Sequence, residues 1–410
     1  MTTRPPRRPL FAALGTAIAL AGCTGTPGTS APIHGTAVAT SAATSPHATA
    51  SAAYDLGMFP ALPTAELPPT TVAKLQTVLD QSAPNAVPGI TATVLVAGVG
   101  AWTGAAGTTD GTTPMERSAQ FGIASISKTV IAAEVLSLVE SGALRLDDPV
   151  AEHLPDDFDF NTNGATVLNL LSMESGIPDP TLTLAEVRRD PLRTWKPEEV
   201  LATVPVSRSK PGDHFVYEDA NYMLLGLVIK SVTGETVATA LRADVLADPL
   251  LGRLVYQPEE RPSAPLALPF DDAGLRPDAA NAGGGYLESR SEASWANGSG
   301  GMASDAPALA VFGYRLYGGG MLSLDSVRAM TDFEANDASD RYGLGTFYQS
   351  PIAPGLGPLA LGNGGWGQGY AAVLTVLPDR GIVIAVLTNR GGDPISQVFP
   401  IAVKLLDALG

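Results

Sequence analysis

Between Phe121 and Pro149 the chain reads FGIASISKTVIAAEVLSLVESGALRLDDP, and Ile131, Val135, Leu138 and Val139 recur at intervals of three and four. That spacing predicts a buried helix, with Ser141-Gly142 as its stop signal and Asp147-Asp148-Pro149 beyond it. A further helix is predicted over about residues 69–82, and another over Met223–Val232, ended by Thr233-Gly234. Runs rich in β-branched and apolar residues, punctuated by glycine, predict strands at Ile90–Val96 and near Ala101–Ala106. Towards the C-terminus, strands are predicted at Tyr342–Tyr348, Tyr370–Leu377 and Ile382–Leu387, with Pro378-Asp379-Arg380-Gly381 turning between the last two. A closing helix is predicted from about Ile395 to Leu409.

Strands at both ends with helices between them predict an α+β fold. One antiparallel sheet would be built from both termini, with flanking helices, and a mostly helical lobe would be inserted in the middle. The sheet lobe would take about residues 67–127 and 290–410, and the helical lobe about 128–289. A site is expected in the cleft between them.

The first 66 residues read differently. Arg4, Arg7 and Arg8 precede an apolar run from Leu10 to Ala21, too short for a bilayer span, and residues 1–22 read as an export signal. Leu20-Ala21-Gly22-Cys23 matches a bacterial lipobox, and Cys23 is the single cysteine of the chain. The expectation is a lipoprotein, lipidated at Cys23 and anchored to the outer face of the cytoplasmic membrane. From Thr24 to Ala53 there is no charged residue and little but Thr, Ala, Ser, Gly and Pro, so residues 23–66 are expected to form a flexible stalk.

Charge excludes one class of partner. The formal net charge is −16, and removing the three signal arginines takes it to −19. That acidity argues against nucleic acid as a partner.

The candidate chemistry begins at Ser125 and Lys128. Three residues apart on a helix, they share one face, so a hydroxyl and an amine would meet in one small site. A serine hydroxyl is a poor nucleophile without a neighbouring base, and a lysine serves as one when burial depresses its pKa. The helix N-terminus adds N–H groups for an oxyanion. Ser207 and Lys210 have the same spacing, but Pro211-Gly212 follows directly and no helix can carry that pair on one face. Of the four histidines, His34 and His47 fall in the stalk; His153 and His214 are scattered, and no Gly-x-Ser-x-Gly elbow accompanies them. With no cysteine after Cys23 there is no metal-ligand cluster either, and neither metal nor other cofactor is expected.

Five segments in this order carry a family resemblance: FGIASISKT, Leu170–Pro178, the tyrosine loop before NYMLLGLVIKSVTGE, Gly300-Gly301-Met302-Ala303-Ser304, and GNGGWGQGY before VLTVLPDRGIVIAVLTN. Over about residues 70–408 the chain resembles the penicillin-binding-protein and serine β-lactamase superfamily, in the branch of class C β-lactamases, D-alanyl-D-alanine carboxypeptidases and related esterases. The resemblance implies the β-lactamase/transpeptidase-like fold and acyl transfer through an acyl-serine. Ser125 would be the nucleophile, Lys128 would help to activate it, and Tyr217 would shuttle the proton. The backbone N–H groups of Ser125 and Trp366 would form the oxyanion hole, and Asp219, Asn363, Gly364 and Gly365 would meet the substrate.

Two positions depart from the family pattern. Asp219 stands where the family has asparagine in Tyr-x-Asn, and its charge would raise the pKa of Lys128. Asn363-Gly364-Gly365 replaces Lys-Thr-Gly or His-x-Gly, losing a cation and a hydroxyl that grip a carboxylate; an asparagine amide would still donate to a neutral ester or amide. The expectation is an exported serine hydrolase, D-alanyl-D-alanine carboxypeptidase-like or an esterase, acting on small-molecule or peptidoglycan-type acyl substrates of the cell envelope. The alternative is a non-catalytic envelope-binding protein that retains the fold.

Overall fold

The computed structural model describes residues 59–83, 89–207, 209–263, 266–271, 274–275, 290–333, 341–367, 369–392 and 394–410. The export signal, Cys23 and most of the stalk lie outside the described residues. Those that are described belong to one compact unit.

Helix α1 (Pro69–Ser82) leads into strands β1 (Ile90–Val96) and β2 (Gly100–Ala106), and the short β3 (Phe121–Gly122) precedes α2 (Ile126–Glu140). The middle of the chain holds α3 (Val167–Leu171), α4 (Leu184–Val187), α5 (Pro197–Leu201), α6 (Asp219–Thr233), α7 (Val237–Ala243), β4 (Val255–Tyr256), β5 (Phe270–Asp271) and β6 (Gly274–Leu275). Then come α8 (Arg290–Gly300), β7 (Met302–Ser304), α9 (Ala306–Tyr317), α10 (Leu324–Met330), β8 (Phe347–Tyr348), β9 (Leu361–Gly367), β10 (Tyr370–Leu377), β11 (Ile382–Thr388), α11 (Pro394–Gln397) and α12 (Phe399–Leu409).

The main sheet is antiparallel, in the order β2-β1-β11-β10-β9-β8. Side chains alternate between its two faces with the period of a strand. Ile382, Ile384 and Val386 of β11 join Ala371 and Val373 of β10 in a core with Leu75 and Leu79 of α1 and Leu405 of α12. Val383, Ala385 and Leu387 enter the larger core beneath α9, which continues into the helices of the middle. Burial on both faces explains why these strands read as unbroken apolar runs. A second sheet, β3-β7-β4, ties the residues just before α2 to those just after α8.

Helix α2 is buried from Ile126 through Leu136, polar positions included. A helix with no solvated face is held by its neighbours, here α6, α8 and β9. One buried position is not fully satisfied. Glu134 has one carboxylate oxygen without a hydrogen-bond partner among the described residues, and burial, with the charge of Asp244 behind it, pushes its pKa up to about 7. A raised carboxylate pKa gives stability that is complete below the ordinary value near 4.5 and lost as pH rises through about 7. Urea unfolding should therefore show the protein losing up to about 3 kcal/mol of stability between roughly pH 5 and pH 8 on account of this group. Glu134→Gln should remove that part of the slope; an unchanged slope would show that the carboxyl finds a partner when ionised.

Two expected elements are corrected. Tyr342–Tyr348 is not one strand: Tyr342 makes a single bridge to Phe347, and only Phe347–Tyr348 joins the sheet. Gly345, at a φ of +74°, turns the chain between them, and a methyl there would overlap Ala132 on α2. The closing helix is two helices, broken at Val398, because Pro400 can occupy only the first turn of a helix.

Candidate active site

Ser125 sits at the N-cap of α2. The residue before it, Ala124, has a φ of +42°, a left-handed conformation that is costly for alanine and that the surroundings must enforce. They do so from both sides. The amide of Ile123 donates to the carbonyl of Met302 (3.0 Å), and the amide of Met302 donates to Ser127 Oγ (3.1 Å). The turn that carries Ser125 is thus clamped to β7.

Lys128 is fully buried one turn along α2. Its Nζ donates to Ser125 Oγ at 3.2 Å, to Asp219 Oδ1 at 2.6 Å and to the backbone carbonyl of Ser299 at 2.7 Å. Three acceptors match the three donors of an ammonium. Burial pulls the pKa of Lys128 down, but the Asp219 carboxylate and, after it, Tyr217 outweigh that, and the net shift is upward. The depressed lysine that would act as a free base is therefore not what the site holds; Lys128 is an ammonium fixed beside the serine oxygen.

Tyr217 precedes α6 and is braced by aromatic packing. Its ring stacks on Phe347 (5.8 Å) and meets Tyr342 edge-on (6.0 Å). Lys128 Nζ lies 4.9 Å from the ring centre. The loop carrying Tyr217 is tied to the Leu170–Pro178 segment, where the amides of Gly212 and Val216 donate to the carbonyls of Glu174 (2.8 Å) and Met173 (2.9 Å). Ser175 Oγ donates to Asn221 on the first turn of α6.

Strand β9 forms the opposite wall. Residues 363–367 pair with β10 on one side, whereas β8 covers only Leu361 and Gly362 on the other. That leaves a stretch of strand edge facing the Ser125 turn. Gly365 packs so closely that a methyl on it would overlap the Ile123 carbonyl and lie 3.2 Å from the Ser125 nitrogen. Ser125, Tyr217, Asn363, Gly364 and Trp366 all line one cleft of about 260 Å³, with Phe347, Ile352 and Phe399 among its apolar walls. Trp366 is largely exposed at the rim.

Asn363 differs from expectation in what it offers. Its side chain is fully buried, and its amide nitrogen donates to the Ser125 carbonyl (3.2 Å) and Thr129 Oγ1 (3.3 Å). Both N–H groups are engaged within the protein. The side-chain oxygen has no partner among the described residues. Asn363 thus presents an acceptor, where the sequence suggested a donor.

Some contributors had no signal in the sequence. The Ser299 carbonyl is delivered by a break in α8 at Asn297 (φ 49°, ψ −133°), whose Oδ1 accepts from Tyr256 Oη and the Gly298 amide. Asp179 accepts from the amide of Ala220 and donates its own amide to Glu218. Its half-buried carboxyl is pushed up to about 7 by burial and by the charges of Asp219 and Glu218. The body histidines stand apart: His153 faces Asp148 at 3.6 Å, and His214 is exposed. Among the described residues no group of three or more His, Cys, Asp or Glu could hold a metal ion. No single described helix is long and apolar enough to cross a membrane.

The Beta-lactamase family matches residues 76–404. Protein flp of Staphylococcus aureus (strain COL) is 34% identical over 127 residues, covering 28% of this chain and 24% of that protein. Esterase EstB of Burkholderia gladioli is 31% identical over 183 residues, covering 40% of this chain and 45% of the esterase. The chain thus aligns with less than half the length of either relative. A D-stereospecific amidohydrolase from Streptomyces sp. superposes with a TM-score of 0.63 at 25% identity, over 82% of this chain and 98% of that one. The D-amino acid amidase of Ochrobactrum anthropi SV3, complexed with L-phenylalanine, has the same fold (TM-score 0.67, 21% identity, 83% and 98% covered). With a match that runs from α1 to α12, this chain belongs to the Beta-lactamase family of serine hydrolases.

Proposed function

We propose that this protein hydrolyses small esters or amides through an acyl-Ser125 intermediate. The observation that carries the reading is the placement of Ser125 Oγ against a fully buried ammonium, 3.2 Å away, at the start of a buried helix and beside an open strand edge. Oγ attacks the acyl carbonyl, and the oxyanion is received by the amides of Ser125 and Trp366. Tyr217 takes the serine proton as it passes its own to the leaving group. Lys128 keeps its charge throughout and stabilises both developing anions. Water then repeats the sequence on the acyl-enzyme and restores the serine.

Esters and amides without a carboxylate suit this cleft better than D-alanyl-D-alanine ends or β-lactams. No cationic side chain is among the described residues that line it, and the asparagine at the place of the family's lysine or histidine has spent its donors. The lipobox at Cys23 supports export and a lipid tether at the membrane surface.

The test is labelling with a fluorophosphonate, followed by peptide mapping. One adduct is expected, on Ser125, with ester turnover lost in Ser125→Ala. No adduct, or turnover unchanged in that variant, would overturn the reading and favour a binding protein that keeps the fold.

A further inference from the structure

Around the nucleophile, carboxylates outnumber cations. Among the described residues Lys128 is the one cation in contact with Ser125, and it is paired with Asp219. Next to Asp219 in sequence, Glu218 holds the amide of Asp179 at 3.1 Å, and Asp179 in turn holds the amide of Ala220 at 3.1 Å. The three carboxylates therefore meet at the first turn of α6, where burial and, after it, the charges of Asp219 and Glu218 raise the pKa of Asp179. Asp219 is about one-third exposed, so its charge reaches the solvent beside the serine. The three are not arranged as a metal cage.

An independent feature on the cleft wall has the same polarity. Asn363 is fully buried and its side-chain oxygen lacks a partner among the described residues, so a residue lining the cleft holds an unpaired acceptor and no free donor. Phe347, Ile352 and Phe399 supply apolar contact in the same cleft. A bound carboxylate would meet only the ammonium of Lys128, already paired with Asp219, whereas a positively charged group would meet the surplus negative charge that Glu218 and Asp179 add beside that pair.

We propose that Asp219, Glu218 and Asp179 act as specificity-determining residues that select cationic acyl donors: amine- or ammonium-bearing esters or amides with an apolar portion. This rests on the acyl-Ser125 reading and adds a substrate class to it. Negative potential over a cleft raises the local concentration of a cation and repels an anion, and salt screens the effect.

The test uses three p-nitrophenyl esters of equal chain length, ending in a trimethylammonium, its neutral tert-butyl isostere and a carboxylate. At low ionic strength kcat/KM should fall about tenfold at each step from cation to neutral to anion, and the spread should narrow as salt is added. Glu218→Gln and Asp219→Asn should each compress the cation-to-anion ratio several-fold, with the neutral ester as internal reference for any general loss of activity. Neutral-ester turnover that depends on Ser125 but comes with equal cationic and anionic rates would overturn the inference and leave the acyl-enzyme standing. So would a ratio unmoved by both substitutions. Failure to turn over any of the three would overturn the acyl-enzyme and, with it, the substrate class.

Discussion

Lys128→Ala should lower kcat for ester hydrolysis by about a thousandfold or more while changing KM little, because in the proposed mechanism the ammonium acts on charges that develop only during acyl transfer. Stopped-flow measurement of the acylation burst checks this directly. The protein should also lose about 2 kcal/mol in denaturant unfolding, since the Ser299 carbonyl and the Asp219 carboxylate are left without their donor. The cost stays below that of breaking a sealed ion pair because Asp219 is one-third exposed and water can reach it. Lys128→Arg should not rescue, for a planar guanidinium cannot place its donors where a compact ammonium meets three separate acceptors. Wild-type acylation rates in Lys128→Ala would remove the lysine from the mechanism.

The second large effect is expected from a single methyl group. Gly365→Ala would drive a Cβ into the Ile123 carbonyl and against the Ser125 nitrogen. Neither neighbour can move freely: Ile123 is hydrogen-bonded to Met302, and Ala124 already occupies a strained conformation. The strand edge and the Ser125 turn must therefore separate. A shift of about an ångström between them should cost roughly a hundredfold in kcat/KM, with about 2 kcal/mol of stability lost to overpacking. Gly364→Ala provides the comparison. A variant of Gly365 that keeps full activity would show that the close approach of β9 to Ser125 does no catalytic work.

How far the sequence disclosed this arrangement depended on the kind of signal. Apolar periodicity located α1, α2, β1, β10 and β11 to within about a residue, because each is either amphipathic or buried on both faces and ends at glycine, proline or a polar cluster. It failed at Tyr342–Tyr348, where aromatic residues that read as a strand are in fact the packing around Tyr217 and α6. The serine, lysine and tyrosine could be named from motif order. Their surroundings could not, because a backbone carbonyl such as that of Ser299 leaves no mark in a side-chain pattern. Asp179 was equally silent: forty residues separate it from Asp219 and only the fold makes them neighbours. Asn363 could be located, but which half of its amide was free depended on Thr129 and the Ser125 carbonyl.

The pairing of β1 with β11 sets a condition on how the molecule comes into being. Ile90 lies opposite Thr388, and the amide of Gly89 is held by the side chain of Asn389, 300 residues further along the chain. Contacts of such long sequence separation form slowly, because a very large loop must close before they return any free energy. The middle of the main sheet therefore cannot assemble until synthesis has passed about residue 388. Loss of only the final two strands would strand the first two without their partner, and synthesis halted short of residue 380 should yield a collapsed, protease-sensitive intermediate.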